Sequence, residues 1–192
     1  MSGVAFFREY LKNWKTVGAV APSSPALARR MAESGEVWKA GHVLELGPGT
    51  GSLTAAVADS MPHDSKYLGI ELNTDFTGRL RQRFPSLRFE NAGAQDFDFD
   101  AYLGPDESFD VIISCLPWAA FPVPLQKAIL DHVLPKLAPG GRFVTFAYYG
   151  FHMLPAGIKF RRTLHERLHG TETSRVVWGN LPPAFVYVAR AR

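Results

Sequence analysis

At 192 residues, without a low-complexity stretch, the chain suits one sizeable core and is short for two. No run reaches the roughly 18 apolar residues of a membrane span, the amino terminus lacks the layout of a signal peptide, and the one cysteine, Cys115, excludes an internal disulfide and argues against structural zinc. The net charge of +3 hides an acidic middle, with 7 Lys/Arg against 13 Asp/Glu over 43–141, between basic ends holding 6 against 3 over 1–42 and 8 against 2 over 142–192; such ends suit an anionic partner, acidic lipid or nucleic acid.

In chain order, residues 4–17 place Val4, Phe6, Phe7, Tyr10, Leu11, Trp14 and Val17 on one helical stripe, with Arg8, Lys12 and Lys15 at its flanks. That composition fits an interfacial helix in a lipid headgroup plane, or a lid packed on its own domain. A second helix follows, with Ser24 as N-cap and Pro25 in its first turn. HVLELGPGTGSLTAAVADSM reads as strand, Gly-rich turn and helix, YLGIEL as a second strand, and NTDFTGRLRQRFP as a helix stopped at Pro85. LRFENA and FDVIISCLP are further strands, PLQKAILDHVLPKLAPGG a helix closed by Gly140 and Gly141, and RFVTFAYYG a fifth strand. KFRRTLHERLHG is a basic helix, whose Lys159, Arg161, Arg162 and Arg167 suit lipid phosphates. SRVVWGN and AFVYVAR are expected as two closing strands, too close together for a helical crossover, so that one of them runs antiparallel. Strands alternating with helices predict an α/β fold, a Rossmann-like parallel sheet with helices on both faces and its ligand at the carboxyl ends of the strands.

The most specific signal is Glu45-Leu46-Gly47-Pro48-Gly49-Thr50-Gly51 after the first strand. Its glycine spacing departs from the G-x-G-x-x-G of pyrophosphate binders, and an acid two residues before the first glycine would repel a pyrophosphate. The acid suits an ammonium, which the methionine half of S-adenosyl-L-methionine carries. Glu71, 20 residues after Gly51, stands at the end of the second strand, where a carboxylate accepts both ribose hydroxyls, and Leu72 follows it. With that cofactor the predicted sheet is the seven-stranded class I methyltransferase sheet. Methyltransferases of this class often carry Gly-Asp-Ala after the third strand. Here Gly93 takes the Asp position, so the adenine amino group needs Gln95 or Asp96, with Ala94 offering backbone.

For the acceptor, the fourth strand runs into Ser114-Cys115-Leu116-Pro117-Trp118, where adenine and amide methyltransferases carry Asn-Pro-Pro-aromatic or Asn-Leu-Pro-aromatic. Ser114 lacks the amide's paired donor and acceptor, so an aliphatic amine fits better than a planar base, with Pro117 and Trp118 as its neighbours. Tyr148 and Tyr149 alternate in facing; one, assigned as Tyr148, is expected to wall the acceptor by cation–π attraction. His152 is a candidate for taking the amine proton, against the plainer reading of a surface histidine. No metal site is expected.

Taken in order, WKTVGAVAPSSPALARRMA, VLELGPGTGSLT, LGIELNTDF, SCLPW and NLPPAFVYVAR resemble the bacterial phospholipid N-methyltransferases over nearly the whole chain. The resemblance implies one methyltransferase domain over 1–192 that methylates phosphatidylethanolamine towards phosphatidylcholine. It implies cofactor binding by the residues matching Glu45, Gly47, Gly49 and Glu71. It also implies docking of 4–17 on anionic membranes through Phe6, Phe7, Arg8, Lys12, Trp14 and Lys15. The expected location is cytoplasmic, at the inner face of the membrane, with no nucleic acid partner. The alternatives are an enzyme like the ribosomal RNA adenine dimethylases, against which Ser114 argues, one acting on another amino lipid such as ornithine lipid, or a cofactor-binding module without catalysis.

Overall fold

The computed structural model describes residues 23–192, so the expected helix over 4–17 lies outside the described residues. Seven strands form one sheet in the order β3-β2-β1-β4-β5-β7-β6: β1 (His42–Leu46), β2 (Lys66–Ile70), β3 (Arg88–Glu90), β4 (Phe109–Ser114), β5 (Leu137–Tyr148), β6 (His169–Thr173) and β7 (Ala184–Arg190). The first five run parallel, and β7 runs antiparallel to both β5 and β6. This is the expected Rossmann-like class I methyltransferase sheet.

Strand β1 is buried along its whole length, as a central parallel strand covered on both faces must be. One core packs α1 (Pro25–Ser34), α2 (Ser52–Ser60) and α3 (Thr74–Arg83) on the sheet through Leu27, Met31, Leu53, Val57 and Leu80. The other packs α4 (Phe99–Tyr102), α5 (Val123–Val133) and α6 (Pro155–Arg167) through Phe99, Leu125, Ile129, Phe160 and Leu164. Helix α1 starts as expected, with the Ser24 hydroxyl accepting from the Leu27 N–H at 3.2 Å and Pro25 in the first turn. The Asn73 side chain caps α3 in the same way.

Two segments depart from expectation. Helix α5 ends at Val133, not at Gly140, because Pro135 cannot continue an α-helix and a 3-10 turn over Leu134–Lys136 replaces it. The strand then begins at Leu137, and Gly140 and Gly141 belong to it, at a register shift between Phe109 and Val111 of β4. At Gly141 a Cβ would sit 2.8 Å from the Ala138 carbonyl and 3.0 Å from that of Asp110, so only glycine fits. The second departure is at the closing pair. Residues 174–180 are no strand; Val177 makes one isolated bridge to Ala184, and the strand beside β7 is the polar HGTET of β6.

Both borders of the sheet are blunt. Strand β3 has three residues, and the Arg81 guanidinium donates two hydrogen bonds, at 3.0 and 2.6 Å, to the Phe89 carbonyl. Strand β6 carries no large apolar side chain and is interrupted between His169 and Glu172, with Gly170 at φ +55°.

Candidate active site

The loop after β1 turns on Gly47, Gly49 and Gly51, with φ of +71°, +58° and +81°. These are left-handed conformations that side chains resist. A Cβ at Gly47 would also lie 2.8 Å from Leu116 Cδ2, so this glycine both makes the turn and leaves room where β1 and β4 end. Glu71, buried at the end of β2, fastens the loop: one carboxylate oxygen accepts from the Gly49 N–H at 2.9 Å and the other from the Asn73 N–H at 2.8 Å. Each oxygen keeps a lone pair for a ribose hydroxyl. Burial raises the pKa of Glu71, and the N–H groups of Asn73, Gly49 and Leu72 oppose that rise.

A cleft opens beside this carboxylate. Of the predicted cofactor residues, Gly47, Glu71, Leu72, Gly93, Ala94 and Gln95 line it. Leu116, Phe121, Leu125 and Ile129 close its far side, and sequence reasoning did not single them out. Their signal was present in the i, i+4 spacing of Leu125 and Ile129 on α5, which reads equally as plain core. Pro48 is buried, whereas Gly49 and Thr50 open on a different cleft, against Phe76, Arg79 and Arg83 of α3. Gly51 backs onto Phe84 and Leu80. The space a side chain at 93 would need holds the Asp96 carboxylate and the Gln95 amide, 2.5 and 2.6 Å from the Cβ position. These two groups bond each other at 2.6 Å, and Gln95 is the member that reaches the cleft.

Beneath the loop, Glu45 is completely buried. Its Oε2 accepts from Tyr67 Oη at 2.5 Å and Thr54 Oγ1 at 3.0 Å, while Oε1 has no hydrogen-bond partner among the described residues. Burial pushes its pKa up to about 7 against the pull of both hydroxyls, and the neighbouring Glu71 charge adds to the rise. An orphaned buried carboxylate oxygen costs free energy unless a donor meets it. Glu45 does not itself line the cleft, yet an unpartnered carboxylate oxygen beneath the loop, the free edge of Glu71 and an apolar wall fit S-adenosylmethionine, whose ammonium, ribose and adenine ask for these three things.

The acceptor motif is a correction. Trp118 does not present its ring to a substrate. It is 2% exposed, stacks on Phe160 of α6 at 5.1 Å and 10°, and meets Phe121 and Phe143 edge-on. Its indole N–H donates to Ser114 Oγ at 3.0 Å, which also accepts from the Leu116 N–H at 3.3 Å. Ser114, fully buried, therefore shapes the turn after β4 and does not line the cleft. Pro117 is half-buried between them. Trp118→Phe is expected to keep cofactor affinity and cost about 1 kcal/mol in urea unfolding, the worth of one hydrogen bond. A substrate-stacking ring would show the opposite pattern, with stability unmoved.

Tyr148 is half-buried and packs with Phe146 and Phe151, on the sheet face that carries α1. Tyr149 is exposed beside Trp178, their rings 5.4 Å apart. His152 lies between the rings of Tyr149 and Phe185, at 5.7 and 4.9 Å, with Nδ1 buried and no partner among the described residues.

A family model described as a methyltransferase domain matches residues 43–141, the span from β1 into β5. The chain belongs to the S-adenosylmethionine-dependent methyltransferases. Over 184 residues this methyltransferase is 30% identical to the ornithine lipid N-methyltransferase of Singulisphaera acidiphila, covering 84% of this chain and 96% of that protein. It is 39% identical over 80 residues to ribosomal RNA small subunit methyltransferase A of Burkholderia thailandensis, a match covering 40% of this chain but 29% of that one. Among solved structures, N-methyltransferase NodS from Bradyrhizobium japonicum in complex with S-adenosyl-L-homocysteine superposes with a TM-score of 0.65 at 18% identity, over 86% of this chain and 83% of NodS. A putative O-methyltransferase from Klebsiella pneumoniae gives 0.71 at 16%, over 100% and 90%. At these identities the two structures speak for the fold. The cofactor of this methyltransferase is S-adenosylmethionine.

Proposed function

We propose that this methyltransferase acts on the aliphatic amine of an amino lipid, an ornithine-type lipid ahead of phosphatidylethanolamine. The observation that carries the reading is the end-to-end likeness to the ornithine lipid N-methyltransferase of Singulisphaera acidiphila, against a likeness to the ribosomal RNA enzymes confined to a fraction of their length. The turn after β4 agrees with it. The only side-chain polar group at position 114 is a hydroxyl already holding the Trp118 indole, so no side-chain amide stands there to read the edge of a planar base. The cofactor supplies an electrophilic methyl on a sulfonium. The chain's part is to hold a neutral amine in line with it, where proximity and exclusion of water do most of the work. Tyr148 is proposed as an aromatic wall for the amine.

No helix among the described residues is long and apolar enough to cross a membrane. Access to the lipid is therefore proposed from the membrane surface, on the cytoplasmic side, with residues 4–17 as one anchor.

The test is methyl transfer from labelled cofactor to ornithine lipid, to phosphatidylethanolamine and to structured ribosomal RNA, offered separately. Label in the lipids, ornithine lipid first, supports the reading; label in RNA alone would sink it. In the same assay Tyr148→Ala should lower kcat by about tenfold while cofactor affinity holds, the loss appropriate to one cation–π contact. An unchanged kcat would remove Tyr148 from the acceptor site.

A further inference from the structure

Strand β4 runs out through two side chains of opposite facing. Ser114 turns towards Trp118 and Phe160, on the face that carries α6, while Cys115 borders the other core, the one that Tyr148 also packs against. The Cys115 N–H donates to the Leu46 carbonyl at 2.9 Å, which seats the residue beside the last position before the glycine turn. A Cβ at Gly47 would lie 3.9 Å from the Cys115 carbonyl carbon, and Leu116, next in the chain, lines the cofactor cleft. The thiol is half-buried and feels the charges of both Glu45 and Glu71. Glu45 also keeps its buried Oε1 unpartnered among the described residues. In S-adenosylmethionine the sulfonium joins the ribose to the chain that bears the ammonium. A cofactor whose ammonium meets Glu45 and whose ribose meets Glu71 therefore has its sulfonium between the two acids, where Cys115 stands.

The residue at such a place decides how an amine is held. A primary amine loses one N–H with each methyl it gains. Strong fixed acceptors would bind the first substrate well and be left unpaired by its products, a penalty that discriminates sharply. The acceptors of the turn after β4 are already engaged by the protein. Ser114 Oγ accepts from Trp118 and Leu116, and the Ser114 carbonyl from Thr145 Oγ1 at 3.0 Å. The Leu116 carbonyl accepts from the Trp118 N–H at 2.9 Å, and the Trp118 carbonyl from Gln126 Nε2 at 2.8 Å. Towards the two acids the turn presents a thiol, a weak donor and weak acceptor that packs like a small apolar group. Burial, then the charges of Glu45 and Glu71, push that thiol well above its ordinary pKa, so it stays neutral and does not compete with the amine for the methyl.

We propose that Cys115 faces the methyl in transfer and, by making no strong hydrogen bond to the acceptor nitrogen, keeps amines that already carry methyl groups as substrates. The proposal rests on the amino-lipid reading above and deepens it by naming the residue that sets how many methyl groups the nitrogen can take. In each round the nitrogen lone pair attacks the methyl carbon, the carbon–sulfur bond breaks and its electron pair stays on sulfur. The first two ammonium products give a proton to water before the next round.

The experiment compares kcat/KM of the full chain for ornithine lipid and for its N,N-dimethyl derivative. The parent should use the two within about tenfold of each other. Cys115→Asn, whose amide offers a fixed acceptor, should lower the dimethyl-to-primary ratio by about 100-fold, and Cys115→Ala should leave that ratio parental. A parental ratio in a Cys115→Asn chain that still binds S-adenosylhomocysteine overturns the proposal, as does a parent that rejects the dimethyl lipid while using the primary one. If Cys115→Asn does not fold, Cys115→Ser takes its place with a loss of about tenfold, and a parental ratio again overturns the proposal. A second arm needs no lipid. Maleimide labelling of Cys115, the one cysteine of the chain, should slow by about tenfold or more under saturating S-adenosylhomocysteine and by less under adenosine, which has no sulfur. Labelling indifferent to S-adenosylhomocysteine overturns the placement. Protection by S-adenosylhomocysteine in a chain that methylates no amino lipid keeps Cys115 beside the methyl and removes the substrate reading instead.

Discussion

Glu71→Ala is expected to lower the affinity for S-adenosylmethionine by more than about 100-fold, near 3 kcal/mol. The carboxylate has two tasks that fail together. Its unused lone pairs are the proposed ribose acceptors, and its bonded ones restrain the N–H groups of Gly49 and Asn73. Removing it leaves two partly buried donors without acceptors and frees a loop whose three glycines favour many conformations. Glu71→Gln keeps one acceptor oxygen and should fall between parent and alanine. Titration calorimetry on the folded variants checks the order, and parental affinity in Glu71→Ala would refute the ribose assignment.

Glu45 is expected to give the cofactor-free enzyme an unusual dependence on pH. In the unfolded chain a glutamate ionises near 4.5; in the fold Glu45 holds its proton up to about 7 because burial penalises its charge. Between those values Glu45 binds more protons in the folded state than in the unfolded one, so the stability this residue contributes is fully present below 4.5 and is lost as pH rises through 7, about 3 kcal/mol in all. Glu45→Gln should abolish that slope in urea unfolding. The groups that face Glu45 are Tyr67, Thr54 and Glu71, with the half-buried Cys115 beyond them, and none brings a positive charge. A bound ammonium would. Cofactor binding below pH 7 is therefore expected to release protons, up to one per site, measurable as buffer-dependent heats. 5′-Methylthioadenosine, which has no ammonium, should release none. Equal proton release by both ligands would sink this role for Glu45.

The parts of the molecule legible from sequence are those fixed by local backbone demands. Gly47, Gly49 and Gly51 must adopt positive φ whatever surrounds them, and Glu71 must follow β2 to reach the loop. The turn at Trp118 was not legible, because a ring's direction depends on a distant partner. Phe160 lies 42 positions downstream, on a helix whose approach no local pattern encodes. The 174–180 stretch looked like a strand through Val176, Val177 and Trp178, yet the strand is HGTET, whose exposed edge position leaves it without apolar alternation. The exposed apolar group that includes Tyr149, Phe151, Trp178 and Leu181 was hidden for a related reason. Its residues are scattered over 149–181 and become one patch only when Tyr149 meets Pro183 and Trp178.

The blunt borders of the sheet bear on how such a protein behaves when crowded on a lipid surface. A bare outer strand offers its unpaired peptide groups to any neighbour, and confinement to two dimensions raises the frequency of such meetings. Here the carbonyl of Phe89 on one border is already taken by Arg81, while the other border is short, polar and kinked at Gly170. Neither can template a continuous ribbon from one copy to the next. On the proposed reading of an enzyme at a membrane surface, copies can gather densely without polymerising edge to edge, and Arg81 is the residue whose loss would first expose an open border.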